Sequence, residues 1–464
     1  LKKKKKQLNK TKLMKPFLQL FFCLSIFFAG YGQNDNKSKP NIIFLLTDDQ
    51  RHDAMGIAGN PNIITPHLDQ LAKGGIRFKN AYVTTSICSV SRASILSGQY
   101  MSRHKIDDFA KNFDPEALAL TYPILLKNNG YKIGFVGKYG VGNNPPENEF
   151  DYWMCNRAGQ PPYEYTRSDG SIIHHTDSVA NGINQFLRQF GNNASPFCLS
   201  VSFKAPHELD GNPPTYPVQE RFKNLYTDIT VPQPETADPA VWNSFPDFFR
   251  TDQNIGRERW KPLLSTPELH QSTVKDYYRL VTGVDEVVGK LRRQLDSLGI
   301  ADNTVIIFMS DNGFALGEHG LEGKWFGFEE SIRIPLIIND PRTKKRKTDR
   351  RIALNIDIAP TILHLAGLPV SEKMQGTNLL AKKPEKRKSF FYEHTFLGSP
   401  RLPKIEGVVK KDIKYMLFTE HNYEQLYNLK KDPLEKQNLA ADPSYPDKLE
   451  QLRKEYRLLK DQVN

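Results

Sequence analysis

Cysteine is scarce, with four in 464 residues. One of these, Cys23, lies in an apolar N-terminal run, which leaves Cys88, Cys155 and Cys198. So few thiols exclude a disulfide-dense scaffold. Cys155 and Cys198 can either pair in an oxidising compartment or stay as buried free thiols. Long apolar runs are also missing, and nothing after residue 29 reads as a transmembrane helix. No internal repeat is present. The excess of positive charge is smaller than the formal +12 implies, because residues 1–33 carry eight Lys and no acid, and subtracting these leaves +4. That remainder gives no basis for nucleic-acid binding, and the basic blocks at 344–347 and 382–388 read as solvated loops.

What the N-terminus does contain is a targeting pattern. A lysine-rich start precedes an apolar stretch over 16–29, followed by the small residues Gly30 and Gly32. This reads as a signal peptide over 1–32 with cleavage near Gly32. The expected product is exported, periplasmic or secreted, with no stable membrane insertion.

After a polar linker, continuous apolar runs recur at 41–46, 131–136, 197–203, 304–309 and 333–338. Such runs mark strands covered on both faces. Between them lie helical patterns at 122–129, 176–190, 272–298 and 356–365, while residues 205–270 hold many prolines and read as long loops. Strands alternating with helices predict an α/β fold, a large mixed and mainly parallel sheet sandwiched by helices. After Gly367-Leu368-Pro369 the texture changes to short strands and a final helix from about 447. The expected division is a catalytic domain over 36–370 and a small α+β subdomain over 371–464.

Two acidic pairs end two of the buried strands: Asp48-Asp49 and Asp311-Asn312. Sites in parallel sheets form at the carboxyl ends of strands. Three carboxylates and an amide oxygen are hard ligands, suited to Ca²⁺ or Mg²⁺. Taken singly, each pair serves equally well as a turn or helix cap. A third stretch, Cys88-Ser89-Val90-Ser91-Arg92-Ala93-Ser94-Ile95-Leu96-Ser97-Gly98, places a nucleophile where a helix can start. A helix N-terminus favours negative charge, and Arg92, one turn along, faces the same way as Cys88. Further segments are Gly137-Lys138-Tyr139-Gly140, Ala205-Pro206-His207 and Gly317-Glu318-His319-Gly320-Leu321-Glu322-Gly323-Lys324-Trp325.

The stretch from Cys88 to Gly98 resembles the signature of the type I sulfatases, in the alkaline phosphatase superfamily, with Val90 in place of the usual Pro or Ala. The other segments resemble that family in the same order. The resemblance implies that a maturation enzyme oxidises Cys88 to Cα-formylglycine (3-oxoalanine). It implies that Asp48, Asp49, Asp311, Asn312 and the modified Cys88 hold a divalent cation, calcium ahead of magnesium. It assigns Arg92 to the nucleophile, Lys138 and Lys324 to the sulfate, His207 or Lys324 to protonating the leaving alcohol, and Asp311 to a base. One departure is Gly140, where the family usually carries a His. His52, His104 and His175 are candidates to stand in, on residue type alone.

The implied activity is removal of sulfate from a carbohydrate, either a sulfated polysaccharide of algal type, such as ulvan or carrageenan, or a glycosaminoglycan. His104, Trp325, Arg333 and His394 are candidates for sugar subsites, with packing or a surface role as the alternative for each. Two competing readings use the same residues: a phosphonate monoester or phosphodiester hydrolase of the same superfamily, and a non-catalytic glycan-binding relative.

Overall fold

The computed structural model describes residues 39–464 apart from 157–158 and 385, so the signal-peptide reading lies outside the described residues. No helix among the described residues is long and apolar enough to cross a membrane.

Nine strands build one large sheet: β1 (Asn41–Asp48), β2 (Ile76–Tyr82), β3 (Lys132–Gly137), β4 (Tyr152–Cys155), β5 (Phe197–Pro206), β6 (Thr304–Ser310), β7 (Arg333–Ile334), β8 (Leu336–Asn339) and β9 (Lys347–Leu354). Across the sheet the order is β4-β3-β5-β1-β6-β8-β2-β9, with β7 continuing β8 along the same edge of β2. Strands β1, β3, β4, β5 and β6 run parallel, while β7 and β8 run antiparallel to their neighbours.

Helices α1 (Cys88–Ser97), α2 (His175–Phe190), α3 (Ile255–Leu264), α4 (Pro267–Ser297) and α5 (Ile358–Leu365) surround the sheet. The pleat of β1 explains why both faces are covered. Ile42, Phe44 and Leu46 enter one core with Val90 of α1 and Ile362 of α5. Ile43 and Leu45 enter the other core with Phe186 of α2 and Val284 of α4. Successive side chains leave a strand on opposite faces, so a run apolar at every position is buried on both.

A second, antiparallel sheet follows in chain order, β10 (Ser389–His394), β11 (Ile405–Lys410), β12 (Lys414–Phe418) and β13 (Tyr423–Tyr427), with α6 (Pro446–Val463) after it. It reaches the large sheet's loops directly. Glu393 N–H donates to Thr84 O at 3.0 Å, and Tyr392 Oη lies 2.6 Å from Ser86 Oγ and donates to Trp325 O at 3.0 Å.

Two sequence expectations change, and one open alternative is decided. The stretch 205–270 contains helix α3, whose interior Pro262 disguises it. The basic block at 344–347 runs into edge strand β9, where Asp349, paired with Lys347 and Arg351, and a register shift hide the strand pattern. Cys155 and Cys198 are free. They sit on β4 and β5, which flank β3, at registers four residues apart (Gly137 and Ile133). Two inter-strand spacings of about 4.8 Å already exceed the reach of a disulfide.

Candidate active site

The two acidic pairs leave β1 and β6 side by side, because those strands pair in register up to Thr47 and Ser310. The turn after β1 is sharp, with Asp49 at φ 66°. Tyr277 donates its hydroxyl to Asp49 O at 2.8 Å, and Asp49 N–H donates to Asp311 Oδ1 at 3.2 Å. Carboxylate oxygens of Asp48, Asp49 and Asp311 thus lie within 4.8 Å of one another, all buried. Cys88 starts α1 beside them, and one of its groupings, also within 4.8 Å, joins Asp48 and His207.

Three cations close on the acids. Arg92 donates from Nε to Asp311 Oδ2 at 2.8 Å, and from Nη1 to Lys138 O at 2.8 Å and to Ser202 Oγ. Lys138 Nζ meets Asp48 Oδ2. Lys324 Nζ meets both oxygens of Asp49 at 2.6 and 2.7 Å. Asn312 donates to Asp49 Oδ1 at 2.5 Å, which turns its own carbonyl oxygen free. Burial opposes ionisation of Asp48, but Lys138, with Arg92 and Lys324, outweighs it and holds the carboxyl far below the usual range. Burial and then the Asp48 charge push Asp311 upward, against the pull of Arg92. Burial also raises the Cys88 thiol, while Lys138 and Lys324 oppose the rise.

His207 follows Pro206 at the end of β5. Its Nδ1 meets Glu208 O at 2.6 Å, while Nε2 lies 3.1 Å from Gln160 Nε2 and 3.5 Å from Asp49 Oδ2. A carbonyl only accepts, so Nδ1 carries the hydrogen and Nε2 faces the acids. Burial and Lys324 keep the ring neutral.

Whether this pocket suits a divalent cation is decided by its donors. Asp48 Oδ1 and Asn312 Oδ1 are buried oxygens with no hydrogen-bond donor. Buried polar atoms are nearly always paired, and two unpaired hard oxygens among three carboxylates fit an oxygen-preferring ion.

The remaining sequence candidates are placed differently. His104 bonds Ser94 Oγ at 3.0 Å and receives Ile106 N–H at 3.1 Å, so both ring nitrogens are used in packing. His52 and Arg333 line a separate open cavity of about 580 Å³ with Glu318 and Glu330, which none of the clustered acids lines. Arg333 is held there by Lys79 O at 2.7 Å. His394 is buried at the end of β10, pushed down to about 4 by its burial. His175 starts α2 near Lys138 and Asp48, but burial pushes it down to about 3. Trp325 is brought to the shoulder of the crevice, its N–H on Ser86 O at 3.2 Å. At Gly140, φ is +71° and an added Cβ would stand 2.8 Å from Arg92 Cδ, so this backbone has no room for a side chain there. Sequence reasoning missed Gln160, Ser202 and Glu208. Only Glu208 carries a signal, its place directly after Ala205-Pro206-His207.

A family profile described as Sulfatase matches residues 40–368. This chain belongs to the sulfatase family, in the alkaline phosphatase superfamily. A second profile, described as N-sulphoglucosamine sulphohydrolase, C-terminal, matches residues 317–462 of this sulfatase-family chain. Among curated relatives, the N-acetylglucosamine-6-O-sulfatase of Bacteroides thetaiotaomicron is 27% identical over 513 residues, covering 94% of this chain and 90% of the relative. A protein solved in complex with its substrate, D-glucosamine-2-N,6-O-disulfate, superposes with a TM-score of 0.77 at 27% identity, covering 92% and 98% of the two chains. The phosphonate monoester hydrolase of Agrobacterium radiobacter superposes with a TM-score of 0.75 at 22% identity, covering 92% and 96%, a likeness of fold.

Proposed function

We propose that this chain is an exported sulfuric ester hydrolase that removes sulfate from a carbohydrate, with a 6-O-sulfated glucosamine unit as the first substrate to try. The observation that carries the reading is the convergence of Arg92, Lys138 and Lys324 on three buried carboxylates beside Cys88. The sugar comes from the glucosamine 6-sulfate compounds of the relatives reported above. Residues 36–370 form the catalytic portion in this reading and 371–464 a subdomain.

Asp48, Asp49, Asp311 and Asn312, with the modified Cys88, would hold a calcium ion, whose chemistry is to lower the pKa of a hydroxyl beside it. The aldehyde made from Cys88 by a maturation enzyme supplies, once hydrated, two hydroxyls where serine or cysteine offers one group. The chain's own residues do the rest. Lys138 and Lys324 present ammonium groups to the sulfate oxygens, and prealigned charge of this kind contributes on the order of 3 kcal/mol per donor. Arg92 orients Asp311 by its two-nitrogen grip, leaving Asp311 Oδ1 turned to the Asp49 N–H and the carboxyl placed as a base. Lys324 Nζ, or His207 Nε2 once the ring has taken up a second proton, gives a proton to the departing alcohol.

The test compares defined substrates. Sulfate release from glucosamine 6-sulfate, from algal and glycosaminoglycan oligosaccharides, and from aryl sulfate is measured beside phosphodiester and phosphonate ester hydrolysis. Sulfate esters should be cleaved faster, and a faster phosphodiester rate overturns the choice. Peptide mapping of Cys88 accompanies it. An unmodified thiol in protein from a host with the maturation enzyme would favour the glycan-binding reading.

A further inference from the structure

Helices α2 and α4 cover the same face of the large sheet, and both line an open groove of about 620 Å³. Its floor is apolar, with Ile183 of α2 and Leu291 of α4 each 2% exposed. Gln294 of α4 donates from Nε2 to Asn184 Oδ1 of α2 at 2.9 Å and ties the two helices together there. The rims are basic. Arg167 comes from the short hairpin at 164–174, Arg188 from α2, and Lys290 and Arg293 from α4. Arg188 follows Asn184 by one helical turn and Arg293 adjoins Gln294, so both arginines lie close to the tie.

The acids nearby are already spent. Among the described residues one acid, Asp177, lines the groove, and Arg221 holds its two oxygens at 2.7 and 3.0 Å. Glu286 is shared by Arg221 and Lys290. Arg167, Arg188 and Arg293 make no ion pair among the described residues. One exposed arginine is usually a solvated surface group. Three without a counter-charge around one groove repel one another, and an anionic chain laid along the groove relieves that repulsion.

We propose that the α2–α4 groove is a second binding site for sulfated polysaccharide, holding a stretch of the polymer apart from the unit being cleaved. This rests on the reading of the chain as a carbohydrate sulfatase. Guanidinium forks match tetrahedral oxyanions, and the apolar floor accepts the carbon face of a sugar ring. Both helices also touch the crevice: His175 starts α2 near Asp48, and Tyr277 of α4 donates to Asp49 O. Arg188 and Lys290 stand roughly 20 Å further along the same helices, at about 1.5 Å of rise per residue. A monosaccharide in the crevice does not span that distance, whereas a polymer does.

The experiment compares the full-length, Cys88-converted protein with two triple variants of equal net charge. One carries Arg167→Gln, Arg188→Gln and Arg293→Gln. The other carries Lys344→Gln, Lys345→Gln and Arg346→Gln, in the exposed basic block. Calorimetry measures binding of heparin, of ulvan and of desulfated heparin, and kcat/KM is measured on glucosamine 6-sulfate. The groove variant should bind at least one of the two sulfated polymers about ten-fold more weakly than wild type, the scale of three exposed charge contacts. Its kcat/KM on the monosaccharide should stay at the wild-type value. The block variant should bind as wild type does, and desulfated heparin should not distinguish the three proteins. If the triple groove variant does not fold, Arg188→Gln and Arg293→Gln singly carry the same comparison. Equal losses in the two triple variants, which net charge alone would produce, overturn the proposal. So does failure of the wild type to bind either sulfated polymer. So does groove-dependent binding to equimolar phosphatidylcholine–phosphatidylglycerol vesicles without such binding to the polymers, which would assign the groove to a membrane surface. Affinity needs no chemistry, so the two readings fail separately. Groove-dependent polymer binding with no sulfate release faults the proposed reaction, and normal release with groove-independent binding faults the groove.

Discussion

The crevice and the C-terminal sheet both bury lysines among carboxylates, and they differ in what is left over. Under the C-terminal sheet, Lys414 Nζ meets Glu435 at 2.7 Å, Gly327 O at 2.8 Å and Glu329 at 3.0 Å. Glu435 also takes the Glu329 N–H at 2.8 Å. The ammonium is ringed by three oxygens, so both carboxylates face a cation of their own, and the cluster holds β12 against the segment that follows Lys324. In the crevice, Lys138 and Lys324 each grip a single carboxylate, and two oxygens, Asp48 Oδ1 and Asn312 Oδ1, remain without a donor. Buried carboxylates that face their own cation act as a fastener, while buried oxygens with neither a cation nor a donor have capacity for a ligand.

The hardest blow to this contrast comes from turnover. Cys88→Ala and Lys138→Ala should each lower sulfate release by roughly a thousand-fold or more, beyond the range of one oxyanion-type donor. Cys88→Ala should keep its circular dichroism and melting temperature, and normal activity in it would sink the assignment of the nucleophile. Lys414→Met should do the reverse. It leaves Glu329 and Glu435 buried without their cation, a loss of about 3–5 kcal/mol, read in denaturant melts, with turnover per folded molecule near wild type.

A cation titration sharpens the comparison further. Calcium at a hundred times its dissociation constant should stabilise the native chain by about 2.7 kcal/mol, and Asp49→Asn should abolish that gain in calorimetry. A calcium shift of the same size in Asp49→Asn would place the ion elsewhere.

The smallest effect concerns a carboxylate held by neither a lysine nor an ion. Asp285 on α4 accepts the N–H groups of Leu68 and His67 at 2.7 and 3.3 Å, and burial pushes it up to about 7. The folded chain therefore binds the proton more tightly than the unfolded chain, whose value lies near 3.9. Stability from this group falls as pH rises from about 4 to about 7 and is level above that. Asp285→Asn should match wild type at pH 4 and melt a few degrees higher at pH 8. An unchanged pH slope would remove the argument.

Legibility in the sequence tracks how local the cause is. Asp48, Asp49, Asp311 and Asn312 could be found because a doubly buried strand announces itself by unbroken apolar residues, and its carboxyl end is where a crevice opens. Cys88 and Arg92 could be found because one helical turn fixes their spacing. His104 is the same residue type as His207, and Arg333 carries the same charge as Lys324, and nothing local separates them. His104 is absorbed by Ser94 and the Ile106 backbone, and Arg333 turns to Lys79 O. Helix α3 stayed hidden because Pro262 breaks its pattern, and with it went Arg259, which grips Glu208.

By itself, then, the order of residues determined the parallel sheet, the acids at its rim and the helix that begins at Cys88, since strand pleat and helical pitch act over a few neighbours. Tertiary structure alone decided which of several lysines, arginines and histidines meet those acids. It also decided that Cys155 and Cys198 stay apart, that Gly140 has no space for a side chain, and that Arg259 reaches Glu208 across 51 residues of chain. Those pairings depend on how separate elements dock, and docking is set by the packing of two cores on opposite faces of one sheet rather than by any single segment.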